Sequence, residues 1–318
     1  MFKFLKKKKP MDVQLKTRLV KWKNIDKQKM DWGIKMLRVY EIWKEVKGEG
    51  VKIAVLDTGV SQHVDLKINV KGGINFTTSN ANDYQDRAGH GTHVAGIIAA
   101  ADNEIGVVGV APCAEIYGVK VLGDNGSGSF EWITQGIDWA INNGMDIISM
   151  SLGSKHSSEE LHAAIKRAYD KNITVVAAAG NDGDSYVGNI DYPGKYPEVI
   201  AIGAVNKYLE RSWFSSNGEE LAVAAPGEDI YSTYLNNGYS ILSGTSMATP
   251  FITGVLALLI AKHRKVKDSK TPIDTPQRVR EHLCRTADDA GEIGKDRFYG
   301  YGIVSPTRLF EEAGISAR

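Results

Sequence analysis

The sequence predicts an α/β protein built on a mostly parallel sheet that helices cover on both faces. Two observations carry this prediction. Short, continuously apolar segments recur along the chain, as in strands that are buried on both faces. Longer segments with helical periodicity separate them, as crossover connections between parallel strands do.

The strand and helix segments follow one another from residue 52 onward. The predicted strands cover residues 52–56, 116–122, 146–152, 173–179, 199–205 and 221–225, and the predicted helices cover residues 130–142, 158–171 and 247–263. Sites in such sheets lie beyond the carboxyl ends of the strands. Asp57 comes where the first predicted strand ends, and Asn181 follows the end of the fourth.

Length and composition are those of an ordinary globular protein. The chain has 318 residues, 42% of them hydrophobic, and a net charge of +1, which excludes the strong overall field of a nucleic-acid-binding protein. No apolar run reaches the roughly 18 residues of a membrane span. Neither an internal repeat nor a linker is visible, so we expect one domain over residues 26–318 after a lysine-rich extension over residues 1–25.

The extension is not a signal peptide by its pattern. Lysines at positions 6–9 are followed by Pro10, Met11 and Asp12 rather than by an apolar segment. We therefore expect a cytoplasmic protein without stable membrane association. Cys113 and Cys284 agree with this expectation as free residues rather than as a disulfide. The simplest interpretation of the extension is a solvated tail.

Three glycine-flanked segments carry an acid, a base and a nucleophile. Asp57 lies in VLDTG, His90 in GHGTHVAG and Ser246 in SGTSMATP, an order that is one of three found in serine-protease triads. A serine hydroxyl needs a base within hydrogen-bond reach. His90 would take its proton, and Asp57 would fix the imidazole tautomer. His93, three residues further on, is expected to be structural.

The oxyanion of a tetrahedral intermediate needs hydrogen-bond donors near the nucleophile. Ser246 precedes a predicted helix with Pro250 in its first turn, so free backbone N–H groups and the helix dipole lie beside it. The side chain of Asn181 is the predicted second donor. The alternative is an asparagine that merely forms a tight turn, which is common in Asn-Asp-Gly segments.

These motifs resemble those of the subtilisin-type serine proteases, peptidase family S8, over about residues 28–308. In character the chain most resembles the intracellular subtilisins. The resemblance implies a three-layer α/β/α sandwich, with Asp57, His90 and Ser246 as the triad. It also implies an oxyanion hole formed by Asn181 and the Ser246 N–H, with Thr245 in support.

In this family a peptide substrate lies as an added strand between two segments, here residues 126–128 and 151–153. The substrate-binding residues implied on them are Ser127, Gly128, Ser151, Leu152 and Gly153. Phe130, Ile133 and Leu152 would line an apolar pocket for the fourth residue before the cleaved bond. Ordinary helix core is the alternative for these three.

The pocket for the residue before the cleaved bond (P1) contains two acidic candidates. The resemblance implies Asp191 at its floor and Asp182 at its rim. A carboxylate in a partly wet groove would favour lysine or arginine at P1 by about 1–2 kcal/mol. Two solvated loop aspartates are the alternative.

A structural calcium ion is the one cofactor that the resemblance implies. Calcium takes six to eight oxygen ligands. The ligand positions implied here are the side chains of Gln28, Asp65 and Asn103 and the carbonyl oxygens of Ala101, Ile105 and Val107.

We therefore expect a serine endopeptidase that degrades intracellular polypeptides. Two alternatives stay open: a peptidase dedicated to one leader or propeptide, and a catalytically silent binding protein. An esterase would show a Gly-x-Ser-x-Gly elbow, whereas Ser246 lies in Gly-Thr-Ser-Met-Ala. Intracellular subtilisins carry a short extension that can cover the active site, so an inhibitory role of Pro10 and the lysine run is the alternative to a solvated tail. Homodimerisation also stays open.

Overall fold

The computed structural model describes the backbone of residues 16–20 and, with side chains, residues 27–266 and 273–312. The strands are β1 (Lys16–Val20), β2 (Lys52–Asp57), β3 (Val70–Asn75), β4 (Glu115–Lys120), β5 (Ile147–Met150), β6 (Thr174–Ala178), β7 (Val199–Val205), β8 (Leu221–Pro226), β9 (Ile230–Thr233) and β10 (Tyr239–Ser243). The helices are α1 (Trp32–Leu37), α2 (Val39–Ile42), α3 (His90–Ala99), α4 (Phe130–Asn142), α5 (Glu159–Asp170), α6 (Thr245–Lys265), α7 (Pro276–Arg285) and α8 (Pro306–Glu312).

Seven strands form one parallel sheet in the order β3-β4-β2-β5-β6-β7-β8. This arrangement confirms the predicted fold class. Strand β2 lies between β4 and β5, and its last residue, Asp57, pairs in register with Lys120. The carboxyl ends of β2, β5 and β6 are therefore neighbours, and the loops that follow them meet at one edge of the sheet.

Alternate residues of the central strands enter two separate cores, because successive side chains of a strand point to opposite faces. Ile53 and Val55 belong to the core that contains α3 and α6, whereas Ala54 and Leu56 belong to the core that contains α4 and α5. Strand segments that face apolar residues on both sides must be apolar throughout. This explains the continuous runs in the sequence.

Helix α6 passes through the first of these cores. It is long and apolar enough to cross a membrane, but 89% of its most apolar window is buried inside the protein. Gly254 allows a close approach, since a Cβ at this position would lie 2.5 Å from the side chain of Val110. The helix is therefore accounted for as the central helix of the fold.

A second, antiparallel sheet has the strand order β1-β10-β9. Strand β1 lies within the extension, so for residues 16–20 the expectation of a solvated tail is wrong. Lys16 pairs with Ser243 and Val20 with Tyr239. The first residue of β1 therefore lies beside Ser243, which precedes Ser246 by three residues in the chain. Residues 1–15, which include Pro10 and the lysine run, lie outside the described residues.

Candidate active site

Asp57 and His90 form a hydrogen-bonded pair at the carboxyl end of β2. Asp57 Oδ1 lies 2.7 Å from His90 Nδ1, and both side chains are fully buried. Burial opposes the protonated imidazole, but the charge of Asp57 and the hydrogen bond to it outweigh this cost and raise the pKa of His90. Within the described part of the chain, His90 Nε2 is buried and has no hydrogen-bond partner. The imidazole is thus held through one nitrogen, and the other is left for a further group.

Asp86 holds the loop that brings His90 to Asp57, and the sequence motifs gave no indication of it. Its Oδ1 accepts hydrogen bonds from Thr58 Oγ1 and from the backbone N–H groups of Ala88 and Gly89, at 2.8–2.9 Å. Its Oδ2 accepts from the backbone N–H and the hydroxyl of Thr92. One buried carboxylate therefore connects the end of β2 to the first turn of α3. The Asp-x-x-Gly-His spacing was the available signal, because a carboxylate often accepts from backbone N–H groups at a helix start.

His93 lies on the same helix but faces another part of the structure. Its Nε2 lies 3.1 Å from both the Ile230 and Ser240 carbonyl oxygens. Burial lowers its pKa to about 3, so its imidazole stays neutral. This arrangement agrees with the expectation that His93 is structural.

Ser246 is the second residue of α6 and is only 6% exposed. Its hydroxyl donates to the carbonyl oxygen of Ser151 at 3.2 Å, and the Ser151 hydroxyl donates to the Ser246 carbonyl oxygen at 2.8 Å. The expectation that Pro250 falls in the first helical turn is wrong, since α6 begins at Thr245 and Pro250 is its sixth residue. Proline has no N–H to donate to the carbonyl oxygen four residues earlier, which here is that of Ser246. The Ser151 hydroxyl donates to this oxygen instead.

Asn181 is oriented by Thr245. Its Oδ1 accepts from the backbone N–H of Thr245 at 2.9 Å and lies 3.0 Å from the Thr245 hydroxyl. The same hydroxyl accepts from the N–H of Gly180 at 3.1 Å. With its oxygen held in this way, the amide has Nδ2 as its remaining donor. The Ser246 N–H lies in the first turn of α6, where no intrahelical acceptor exists.

The two segments expected to flank a substrate lie at the sheet edge where β4 and β5 end. Residues 126–128 belong to a tight turn in which the Gly123 N–H donates to the Ser127 carbonyl oxygen at 2.8 Å. Leu152 and Gly153 follow β5, and no backbone hydrogen bond of theirs is found among residues 27–266 and 273–312. Unpaired backbone groups of this kind are what an added strand requires.

Phe130, Ile133 and Leu152 belong to one apolar cluster. Ile133 and Leu152 are buried members of the core around α4 and α5, and Phe130 is a partly buried residue packed against that core. Of the three residues, Phe130 alone has a partly exposed side chain.

Asp191 lies between the two expected walls of the P1 pocket. A Cβ on Gly153 would lie 2.8 Å from Asp191 Oδ2, and one on Gly180, which has a φ of +111°, would lie 2.5 Å from it. Glycine is therefore required at both walls. Burial raises the pKa of Asp191 although the nearby Lys155 ammonium opposes the rise. Asp182 follows Asn181, and its side chain is 50% exposed.

Lys155 connects the two aspartates, and sequence reasoning missed it. Its Nζ lies 2.7 Å from Asp191 Oδ1, contacts the carboxylate of Asp182, and donates to the Asn189 carbonyl oxygen at 3.0 Å. Burial works against the ammonium, but the hydrogen bonds to the two aspartates outweigh it and raise the pKa of Lys155. The available signal was a basic residue two positions after Gly153.

The six positions expected to bind calcium come together around a loop. Gln28 Nε2 donates to the carbonyl oxygens of Ala101 and Val107 at 2.8 and 3.4 Å, so both carbonyls face one side chain. Asn103 Nδ2 donates to Asp65 Oδ1 at 3.2 Å, and Ile105 lies in the same loop. The carboxylate of Asp65 is fully buried, and the salt bridges of the described residues do not include it.

These groups fit a calcium ion by their chemistry. The Asp65 carboxylate accepts hydrogen bonds from the Val107 N–H, the Tyr239 hydroxyl and Asn103 Nδ2. Buried charges in proteins are normally also paired or bound to a metal, and Asp65 has no ion-pair partner within the described ranges. Carbonyl, amide and carboxylate oxygens are the ligands that calcium prefers. The described residues contain no cluster of three or more His, Cys, Asp or Glu side chains that could hold a metal, so any ion here would depend on backbone oxygens.

Residues 48–302 match Peptidase S8, the subtilase family. Subtilisin E of Bacillus subtilis (strain 168) is 45% identical over 281 residues, which cover 87% of this chain and 70% of the relative. A subtilisin of Bacillus pumilus is also 45% identical over 281 residues, covering 87% and 98%. An intracellular serine protease of Paenibacillus polymyxa is 50% identical over 233 residues, covering 71% and 72%.

Proposed function

Because the chain belongs to the subtilase family and is a serine endopeptidase, we propose that it cleaves peptide bonds through an acyl-enzyme formed on Ser246. His90 is the general base and Asp57 the residue that orients it. The observation that carries this assignment is the fully buried pair of His90 Nδ1 and Asp57 Oδ1 at 2.7 Å, which leaves His90 Nε2 without a partner among the residues that the structure describes.

In the proposed reaction, Ser246 Oγ attacks the substrate carbonyl carbon while its proton passes to His90 Nε2. The hydroxyl must first leave the Ser151 carbonyl oxygen, which requires a rotation about the Cα–Cβ bond. The protonated imidazole then gives the proton to the leaving amine, and water hydrolyses the acyl-enzyme by the same route. Asp57 stabilises the imidazolium and stays ionised.

The developing oxyanion would be bound by the Ser246 N–H and Asn181 Nδ2. Thr245 keeps the amide oxygen of Asn181 turned away, so the amide nitrogen is the group offered to the substrate. Donors that are already oriented cost no reorganisation when the charge develops.

The substrate would bind as an extended strand along Leu152 and Gly153, whose backbone groups are unpaired within the described ranges. The two negative charges of Asp191 and Asp182 and the positive charge of Lys155 sum to one net negative charge beside the P1 side chain. We therefore propose a modest preference for lysine or arginine at P1, smaller than two unpaired aspartates would produce.

We further propose that the protein degrades intracellular polypeptides in the cytoplasm. The name of the Paenibacillus polymyxa relative, an intracellular serine protease, supports this location. Cleavage of casein at many sites would support general degradation. If the protein does not cleave casein but cleaves a single leader sequence efficiently, the dedicated processing peptidase is supported instead.

The extension would act as a removable inhibitor. Strand β1 pairs with β10 so that Lys16 lies beside Ser243, close in sequence to the proposed nucleophile. If the segment before Lys16 covers the active site, its removal must accompany activation.

Calcium would be held by Asp65, Gln28, Asn103 and the carbonyl oxygens of the same loop, where it would neutralise the buried carboxylate and tie residue 28 to residues 101–107. Chelation should lower the melting temperature of the wild type, and Asp65→Asn should abolish this sensitivity. Asp102→Asn is the matched control, because Asp102 lies in the same loop but pairs with Lys47 on the surface. An unchanged melting temperature after chelation would refute the site.

The experiment that tests the proposed activity follows intact mass and peptide hydrolysis over time in calcium buffer. The wild type should lose its N-terminal segment as its activity rises, whereas Ser246→Ala should stay whole and inactive. Ser212→Ala is the matched control, because Ser212 is a buried serine outside the site whose hydroxyl has no hydrogen-bond partner in the described part of the chain. If the wild type is also whole and inactive, the silent binding protein becomes the better interpretation.

A further inference from the structure

Lys155 lies beside the proposed P1 pocket between Gly153 and Gly180, and its ammonium is in contact with three acceptors there. A lysine ammonium has three N–H donors. Three acceptors surround it: Asp191 Oδ1 at 2.7 Å, the Asn189 carbonyl oxygen at 3.0 Å and the carboxylate of Asp182. A lysine side chain of the protein is therefore already in contact with the two carboxylates that would recognise a basic substrate.

Asp191 and Lys155, the partners of one of these ion pairs, differ in their freedom to move. The Asp191 side chain is 13% exposed and touches both glycine walls, and its backbone N–H donates to the Ala179 carbonyl oxygen at 2.8 Å. The side chain of Lys155 is 51% exposed and stands on a flexible four-carbon stem. An ion pair with one half-exposed partner contributes little, so moving the lysine costs little. The carboxylate is fixed, and the cation is exchangeable.

We propose that Lys155 is a specificity-determining residue that serves as an exchangeable counter-ion of Asp191. It stays on Asp191 when the P1 side chain is apolar, and a P1 lysine or arginine displaces it. This inference rests on the proposed function, because it concerns the substrate pocket of that activity.

Binding of a substrate changes the balance of charge around Asp191. With Lys155 in place, the two aspartates and the lysine carry one net negative charge, and a basic P1 side chain gains only the difference between its own pairing and that of Lys155. Without Lys155, the same side chain meets two unpaired carboxylates. An apolar P1 side chain, in contrast, would then cover a carboxylate that has lost its counter-ion, which is unfavourable.

A purely structural role is the competing explanation, since Lys155 also joins its own loop to the Asn189 carbonyl oxygen. Loss of a structural tie would weaken binding of every substrate alike. Loss of an exchangeable counter-ion changes basic and apolar substrates in opposite directions. The ratio of the two activities therefore distinguishes these roles.

The test compares kcat/KM for two chromogenic peptides that differ only in arginine or phenylalanine at P1, with the full-length protein in calcium buffer. Lys155→Met should raise the arginine-to-phenylalanine ratio about fivefold to tenfold, mainly through KM, because the ion pair forms in the bound ground state as well as in the transition state. Lys155→Arg keeps the charge and should restore a ratio near that of the wild type. Lys195→Met removes a neighbouring lysine that pairs with Glu220 instead, and it should leave the ratio unchanged.

A second set of variants asks whether the effect passes through Asp191. With Asp191→Asn, the preference for arginine should fall, and adding Lys155→Met should change the ratio less than twofold. The inference is overturned if Lys155→Met lowers both activities by the same factor or leaves the ratio unchanged. If the wild type cleaves neither peptide, the proposed function fails, so the two failures are distinct.

Discussion

Two carboxylates of the candidate active site, Asp57 and Asp191, each contact one basic side chain, and the two pairs are held very differently. Asp57 and His90 are fully buried, and the loop between them is fixed by the five hydrogen bonds that Asp86 accepts. Asp191 is nearly buried, but its partner Lys155 is half exposed. The same kind of interaction is therefore rigid at one place and exchangeable at the other.

The difference matches what each pair must do. A general base has to stand in one orientation at every turnover, because small displacements from the reactive geometry are costly. A substrate pocket has to accept side chains that vary. Burial and a surrounding hydrogen-bond network provide the first property, and exposure of one partner provides the second.

The largest expected effect is that of removing the charge of Asp57. Asp57→Asn should lower kcat about ten-thousandfold, the size found for this change in a chymotrypsin-type triad and close to the loss when a subtilisin is deprived of its triad aspartate. The matched control is Asp191→Asn, which removes the other carboxylate and should leave hydrolysis of a phenylalanine substrate within about threefold of the wild type. Steady-state kinetics on both variants is the measurement. A loss below tenfold in Asp57→Asn would contradict the assigned role.

The next effect concerns the hydrogen-bond network that makes the first pair rigid. Asp86→Asn replaces an acceptor oxygen by an NH2 group that faces N–H or O–H donors, so we expect a loss of about 3 kcal/mol in the free energy of unfolding. Urea unfolding measures this loss, and combining each substitution with Ser246→Ala prevents self-digestion during the measurement. Asp83→Asn in the same loop is the control, because Asp83 pairs with the exposed Arg87 and should matter by less than about 1 kcal/mol. Equal losses in the two variants would show that Asp86 does not hold the loop.

A third effect is the pH at which activity appears. His90 must be neutral to accept a proton, and its pKa lies above the ordinary value of 6.5 because of Asp57. The logarithm of kcat/KM should therefore rise with pH through an acid limb centred above 6.5. In Asp57→Asn the charge that raises this pKa is gone, so the limb of the residual activity should move to lower pH. His93 stays neutral throughout, since its pKa is about 3. A limb that does not move would contradict the coupling of this pair.

Much of the fold could be predicted because buried parallel strands are continuously apolar. The strand Val199–Val205 and the helix Phe130–Asn142 agree with the predicted bounds at both ends. Strand β3, Val70–Asn75, was missed because it contains two glycines and five of its six residues are not buried. The short strands of the antiparallel sheet were missed as well, since pairing between distant segments leaves little local pattern.

The site divides in a similar way. Asp57, His90 and Ser246 lie in local motifs, so the sequence alone could indicate them. The importance of Asp86 depends on Thr58, 28 residues away, and that of Lys155 on Asp191, 36 residues away. Contacts of this kind exist only after the sheet has brought its strand ends together, so local spacing could point to Asp86 and Lys155 but not to these distant partners.

The smallest predicted effect compares the two pairs through salt alone. The screening length falls from about 10 Å at 0.1 M to about 3 Å at 1 M ionic strength, and it affects exposed charges far more than buried ones. Raising sodium chloride over this range should lower the arginine-to-phenylalanine ratio at P1 about twofold, because the half-exposed cluster around Lys155 recognises charge. The acid limb for the phenylalanine substrate should keep its position, because Asp57 and His90 are shielded from solvent. If salt moves the limb and leaves the ratio unchanged, the exchangeable and the rigid pair have been assigned the wrong way round.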